Sequence, residues 1–417
     1  MSRKSQRRRR FAERAFRAVA TGALVFAAGM FLLLCAGIAA LGAEAFLRHE
    51  ARLEIALDAA VLGVSAQASA AELGTADFRA AVRRAVAEAA APAADTVSEI
   101  ELNALISPGA EFALADALSR NSGLLGRSIT IDAPLSDAAD RYLKESPDAR
   151  GYARLSAAQQ DVIAALKAKG RLSRAFNADF FASGDSSYPE LAGVAAGFVG
   201  SMFSVGVAIL IALPLGVATA VFLEEFAPKN ALVDFLEINI NNLAAVPSII
   251  FGLLGLVVFI IALGMPRSAP IVGGLVLALM TLPTIIIVTR SSLQALPSSL
   301  KEGALALGAS KLDAVLNPLL PAAAPGIATG VIIGVARALG ETAPLILIGM
   351  VAFVATPPLN PLEPSSALPV LVYLWAESPE TAFAEKTAGA IILLLVLLIV
   401  LNGLAAAIRR RANVYRR

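Results

Sequence analysis

Hydrophobic and polar positions divide this chain into six apolar runs and one polar block. The first run, Ala18–Ala43, has 26 residues without a charged side chain. That is longer than the roughly 7 to 15 apolar residues of a cleavable leader, and enough to cross about 30 Å of hydrocarbon as a helix. It reads as a retained anchor, although small residues at 42–45 leave a cleavage site open. Further runs lie near 192–223, 243–263, 271–289, 326–353 and 387–408. Between the first two runs, residues 44–190 hold 15 Lys/Arg and 21 Asp/Glu. Patterning inside this block predicts a mainly helical domain. Thr75 is placed to cap a helix carrying Phe78, Val82 and Val86, and Ser156 to Gln159 forms a capping box before Val162, Ile163 and Leu166, closed by Gly170. Arg127 to Asp132 alternates like a short strand. The block shows no recognisable site, and its scattered carboxylates read as a solvated surface.

Composition agrees with a membrane protein: 57% of residues are hydrophobic, 16% are charged and the mean hydropathy is +0.71. The net charge of +2 conceals two basic ends, with eight Lys/Arg against one acid in residues 1–17 and five against none in 409–417. Such ends can bind nucleic acid, but beside apolar spans they satisfy the positive-inside rule more simply, so no nucleic-acid partner is expected. Six spans put both termini on one side, and their arginines make that side the cytoplasm. The 44–190 domain and the loop at about 354–386 then face outward, while 224–242 and 290–325 face inward. Cys35 is the only cysteine and His49 the only histidine. That excludes a disulfide framework, a thiol or histidine metal cluster, and a Ser/His/Asp triad. No cofactor is expected.

Two residues in the fifth run stand out energetically. Arg337 and Glu341 lie near the middle of 326–353, where an Arg costs about 2.5 to 3.5 kcal/mol on insertion scales, and their spacing stacks one over the other on a helix. Either the pair is a helix-locking bridge, or the guanidinium meets an anionic substrate while the carboxylate tunes or releases it; a planar fork of donors suits an oxyanion. Thr342 adds a hydroxyl and Pro344 loosens the helix. Gly326, Gly330, Gly334, Ala338 and Thr342 recur every four residues, as do Gly193, Gly197 and Ser201, giving small faces for close packing within the chain or with a second membrane subunit. Pro214, Pro247 and Pro283 interrupt other spans. Arg290 is expected to snorkel to the inner interface.

The inward segment Arg290–Pro325 predicts two short helices, one over Leu300 to about Gly308 and one from Lys311 that ends before Pro318 and Pro321. Glu302-Gly303-Ala304, then Gly308, then Leu320-Pro321 resembles the EAA loop of ABC-importer permeases at its full spacing. Gly303 stands for an alanine and Pro318 for the usual isoleucine. Arg337-Ala-Leu-Gly-Glu-Thr-Ala-Pro344 is similar to the hallmark of phosphate-transport permeases of the PstA type. Leu213-Pro-Leu-Gly-Val217, Leu223-Glu-Glu225, Asn241 to Ile249 and Phe180 to Asp185 are similar to the same family, over about 177–410.

The resemblance implies a permease, not an enzyme, that forms half of a phosphate path through Arg337, Glu341 and Thr342. It also implies that Glu302, Gly303, Ala304, Gly308, Leu320 and Pro321 couple it to an ATP-binding subunit. The implied assembly adds a second homologous permease chain, two copies of the ATP-binding subunit and a periplasmic phosphate-binding protein. Independently, the sequence holds no G-x-x-x-x-G-K-[ST] motif, so it does not cradle nucleotide by a P-loop. Rival readings are a permease for another oxyanion such as molybdate or sulfate, an ATP-independent secondary transporter, and a membrane-anchored sensor. The expected fold is all-α, with six membrane helices and a mainly helical extracytoplasmic insert between the first two.

Overall fold

The computed structural model describes residues 3–65, 68, 70–145 and 155–414. The basic tails expected at 1–17 and 409–417 lie partly outside these residues. We number the longer helices in chain order. The first, α1 (Arg3–Ala43), is continuous because no proline or charge interrupts its apolar stretch. Phe16, Leu24, Phe26 and Leu33 stand exposed along it, as befits a helix surrounded by lipid or another subunit.

A short turn at Glu44–Phe46 leads directly into a strand, β1 (Leu47–Ala56). Leu47, His49, Ala51, Leu53 and Ile55 alternate with charged residues, and the last three of these are fully buried. β2 (Ser128–Pro134) and β3 (Leu172–Phe176) flank it in an antiparallel sheet of order β2-β1-β3, with Leu53 opposite Ile131 and His49 opposite Arg174. Helices α2 (Phe78–Ala90), α3 (Gly109–Arg120), α4 (Asp137–Lys144) and α5 (Ala157–Ala168) accompany the sheet. Val86, Leu114, Leu118 and Ile163 join Leu53 and Ile55 in one core. The all-α expectation fails in this domain: one strand was foreseen and two were not. The capping box at Ser156 and Gln159 is formed, and Gly170 takes the left-handed conformation that ends the helix. Thr75 is not the cap of α2. Asp77 accepts from the Ala80 amide at 2.9 Å, while Thr75 turns back to donate to the Glu72 carbonyl, because Asp77 is the residue immediately before the helix and Thr75 lies two positions further back.

The remaining helices are α6 (Ala195–Val221), which ends in a π-turn at Phe222–Phe226, α7 (Ala231–Ala244), α8 (Ser248–Gly255), α9 (Pro270–Gln294) and α10 (Ser298–Ala306). After them come α11 (Leu320–Gly340), α12 (Ala343–Leu347), α13 (Leu368–Ala376) and α14 (Phe383–Val414). Among the described residues five helices are long and apolar enough to cross a membrane, or six if α7 and α8 with its extension to Ala262 count as one. That pair bends by 101°, and the break falls at the start of the run at 243–263, where Pro247 was expected to interrupt the span. Pro247 supplies no amide hydrogen and disfavours helical backbone at Val246, which breaks the helix there. The expected helix at 326–353 also breaks: α11 ends at Gly340, because Pro344 has no amide to bond the Gly340 carbonyl. At its start, the Lys311–Ala314 helix does not stop before Pro318 but continues through a π-turn at Val315–Leu319 into α11.

Helix α9 lies at the centre, with 61% of its most apolar stretch buried, and α6 and α11 pack against it. A side chain at Gly330 would come within 2.9 Å of Val288, and one at Gly326 within 2.2 Å of Ser292. The small-residue stripe of α11 is therefore an intramolecular seam. The Gly197 and Ser201 face is likewise internal, since the Ser201 hydroxyl accepts from the Leu368 amide at 2.8 Å. At Gly200 an added methyl would lie 2.0 Å from the Ser366 carbonyl oxygen. Gly200→Ala is therefore expected to destabilise the bundle by about 1 to 3 kcal/mol, read as a lower melting temperature in detergent. An unchanged melting temperature would contradict this packing.

Candidate functional site

Helix α11 meets α9 through Gly330, Gly334 and Ala338, and turns Ile333, Arg337 and Gly340 away from the rest of the chain. The Arg337 side chain is 39% exposed, whereas Glu341 is 18% exposed. Arg337 Nε lies 3.5 Å from Glu341 Oε1, so the expected pair is formed. Its setting differs from the expectation. Arg337 occupies the last helical turn, where its charge suits the carbonyl end of the helix, and Glu341 stands beyond it in extended backbone. Thr342 follows at the break, and its hydroxyl makes no cap hydrogen bond. α12 is held against α8, where an added side chain at Gly252 would come 2.7 Å from Pro344 Cα. The two broken helices thus pack together, which is where non-helical backbone is tolerated within a membrane.

Of the six residues expected in coupling, Glu302, Gly303 and Ala304 lie on α10, and Gly308 closes it with a φ of +89°. Leu320 and Pro321 instead open α11, beyond the π-turn against which α10 rests. Glu302 and Gly303 are exposed. Beside them Leu305 is 42% and Leu307 91% exposed, an apolar surface that the chain leaves uncovered.

Two charged networks went unseen in the sequence. At one end of the helix bundle, Arg290 Nη2 donates to Glu237 Oε1 at 2.8 Å and its Nε lies 3.5 Å from Glu224. Lys301 of α10 pairs with Glu225. Elsewhere, the 44–190 domain is clasped to the start of α14. Lys144 bonds Asp140 at 2.7 Å and Glu385 at 3.1 Å, and His49 Nδ1 lies 2.8 Å from Asp140. Arg141 donates to Thr381, and Lys386 sits over the Phe180 ring, 5.2 Å from its centre. The expectation of a solvated acidic surface thus fails at this junction. Sequence distance hid both networks, although the Glu224-Glu225 pair and Arg290 were individually visible.

A cleft of about 890 Å³ adjoins the clasp, lined in part by Asp137, Arg141, Tyr188, Glu190 and Thr381. Burial pushes the Asp137 carboxyl up to about 7 despite Arg141, with Glu190, Glu385 and Asp140 adding to the rise. Burial also raises Glu190. Burial works the same way on Asp140, but the His49 hydrogen bond and Lys144 outweigh it and hold that carboxyl low. Because the folded pKa of Asp137 exceeds its unfolded value of about 4, its share of stability is full below that value and lost as pH rises through about 7. Asp137→Asn is expected to gain on the order of 3 kcal/mol over wild type at about pH 8 and to lose that advantage by about pH 4. Paired melting curves at the two pH values check this; a difference independent of pH would contradict it.

Residues 212–414 match the binding-protein-dependent transport system inner membrane component family, and residues 3–151 match a domain of unknown function, DUF3333. A probable ABC transporter permease protein, YqgI of Bacillus subtilis, is 35% identical over 187 residues, covering 42% of this chain and 62% of that protein. The chain therefore spans less than two thirds of that relative. The phosphate transport system permease protein PstA 1 of Mycobacterium tuberculosis is 33% identical over 54% of this chain and 72% of its own length. The PstA protein of Haemophilus influenzae is 32% identical over 54% of this chain and 78% of its own length. With these likenesses joined to its apolar helices, the chain is an integral membrane protein that belongs to the PstA-type phosphate transport permeases, within the binding-protein-dependent importer permeases.

Proposed function

We propose that this chain is a membrane subunit of an ATP-driven importer of inorganic phosphate and forms half of the translocation path. The observation that carries the reading is Arg337, a guanidinium at a helix break, on the face of α11 turned away from its own bundle. A charge so placed in a membrane needs water or a polar partner, and a path shared with a second, homologous permease chain supplies both. Arg337 offers the oxyanion a fork of donors. Glu341 adds an acceptor that suits an oxyanion still carrying a proton, as phosphate does at neutral pH and sulfate does not, and Thr342 adds a hydroxyl.

On this reading the bent pair α7–α8 is one of six spans and both basic termini are cytoplasmic. The 44–190 domain faces the periplasm, where a phosphate-binding protein delivers substrate. α10, with Glu302, Gly303 and Ala304 and ended by Gly308, docks on one of two ATP-binding subunits. ATP hydrolysis belongs to those subunits. A permease for molybdate or sulfate would share this architecture, so substrate is the point to test. Reconstituted with its partner subunits, the complex is expected to hydrolyse ATP faster with phosphate-loaded binding protein. Stimulation by sulfate or molybdate but not phosphate would overturn the substrate assignment.

A further inference from the structure

Helix α10 is weakly held by its own chain. None of its residues, all of them described, is buried, and it rests on the π-turn at Val315–Leu319. Its direct polar tie to the apolar bundle is the pair between Lys301 and Glu225. Glu225 is 8% exposed and Lys301 34%, so loss of Lys301 would leave a largely desolvated carboxylate behind.

Glu225 does not act alone. It lies with Glu224 in the π-turn Phe222–Phe226 that ends α6. Consecutive residues on a helical turn point in different directions, so the two carboxylates reach different elements. Glu224 accepts from Gln294 Nε2 of α9 at 2.9 Å and faces Arg290, which in turn donates to Glu237 of α7. One irregular turn thus ties α10, α9 and, through Arg290, α7 to the end of α6. Helix α6 runs from here along α9 for its length, with an added side chain at Gly216 meeting Ile285 at 2.7 Å and one at Gly274 meeting Val207 at 2.4 Å. A displacement of the turn therefore reaches both central helices through packed side chains.

We propose that Glu225 and Lys301 are positioning residues forming the strut that carries movement of α10 into α6, with Glu224, Arg290 and Glu237 bracing its far end. This rests on the reading of α10 as the surface that meets the ATP-binding subunit, and assigns the strut a role separate from docking. Lys301 reaches inward to Glu225 while its neighbour Glu302 is exposed, so one short helix presents a transmission arm and a docking face.

The test uses the complete complex in proteoliposomes, with ATP hydrolysis and uptake of labelled oxyanion measured on the same sample. Glu225→Gln and Lys301→Met are each expected to keep the ATP-binding subunit bound while uptake per ATP falls by at least roughly fivefold, the lower end of usual coupling between sites. The double exchange Glu225→Lys with Lys301→Glu is expected to recover a large part of the ratio, which a change in general stability would not produce. An unchanged ratio in both single variants would overturn the strut. So would loss of the ATP-binding subunit, because the pair would then serve docking alone. The ratio is read with whichever oxyanion stimulates the wild-type complex, so an error in the substrate assignment leaves this result interpretable. A wild-type chain that retains no ATP-hydrolysing partner overturns both readings.

Discussion

Arg337→Ala is expected to reduce phosphate uptake by on the order of a hundredfold, a loss typical of removing a preorganised charged donor, while the chain remains folded and in its complex. The expectation follows from what Arg337 touches. Its ion pair is with Glu341 at 3.5 Å, and its side chain is 39% exposed, so little packing is lost with it. The residues that seat α11 on α9, Gly330, Gly334 and Ala338, are on another face and are untouched. Arg337→Lys keeps the charge but loses the planar fork, so uptake should be intermediate. Measured uptake must be set beside copurification of the partner subunits. If Arg337→Ala disassembles the complex, the pair is a bridge that locks the end of α11, and its role in the path is contradicted.

Glu302→Lys should produce the second large effect, weakening retention of the ATP-binding subunit by at least roughly tenfold, which corresponds to about 1.4 kcal/mol. Glu302 is exposed and forms no side-chain hydrogen bond or ion pair among the described residues, so reversing its charge should leave the permease itself intact. The neighbouring Leu305 and Leu307 supply an apolar surface for contact, and the left-handed Gly308 fixes where α10 stops. Pull-down of the ATP-binding subunit from membranes at fixed ionic strength measures the change. Normal retention together with normal uptake would contradict the docking assignment.

Much of the membrane architecture was legible because a membrane imposes its own length and polarity on a sequence. The runs at 192–223, 271–289 and 387–408 become α6, α9 and α14 with modest changes of boundary. The breaks were harder to see, since hydropathy counts side chains and is blind to backbone amides. Pro247 and Pro344 carried the information: Pro247 was read as an interruption, but Pro344 as a loosening instead of a break, since proline is common in membrane helices. β1 shows the opposite failure. Its alternation from Leu47 to Ile55 was present in the sequence, but His49 and Ala51 are weak members of an apolar face and the first apolar positions are only partly buried. β3 offered no such pattern, because an edge strand with the burial of Leu172–Phe176 has little to alternate.

The candidate site divides along the same line. Arg337 and Glu341 were found by cost, since two charges in an apolar run demand a reason, and they do meet. Their position at the end of α11, with Arg337 on its exposed face, required the fold. The network joining Glu225 to Lys301 spans 76 positions and the clasp of Lys144 to Glu385 spans 241, separations over which no local pattern operates. A single sequence lists those charges without pairing them.

The most direct test of the central claim is initial-rate uptake of labelled phosphate by cells lacking this chain, with and without the wild-type copy, in excess sulfate or molybdate. The account predicts that the wild-type copy restores uptake and that neither competitor lowers it. Phosphate uptake that is unchanged by the deletion, with other phosphate carriers removed, would contradict it.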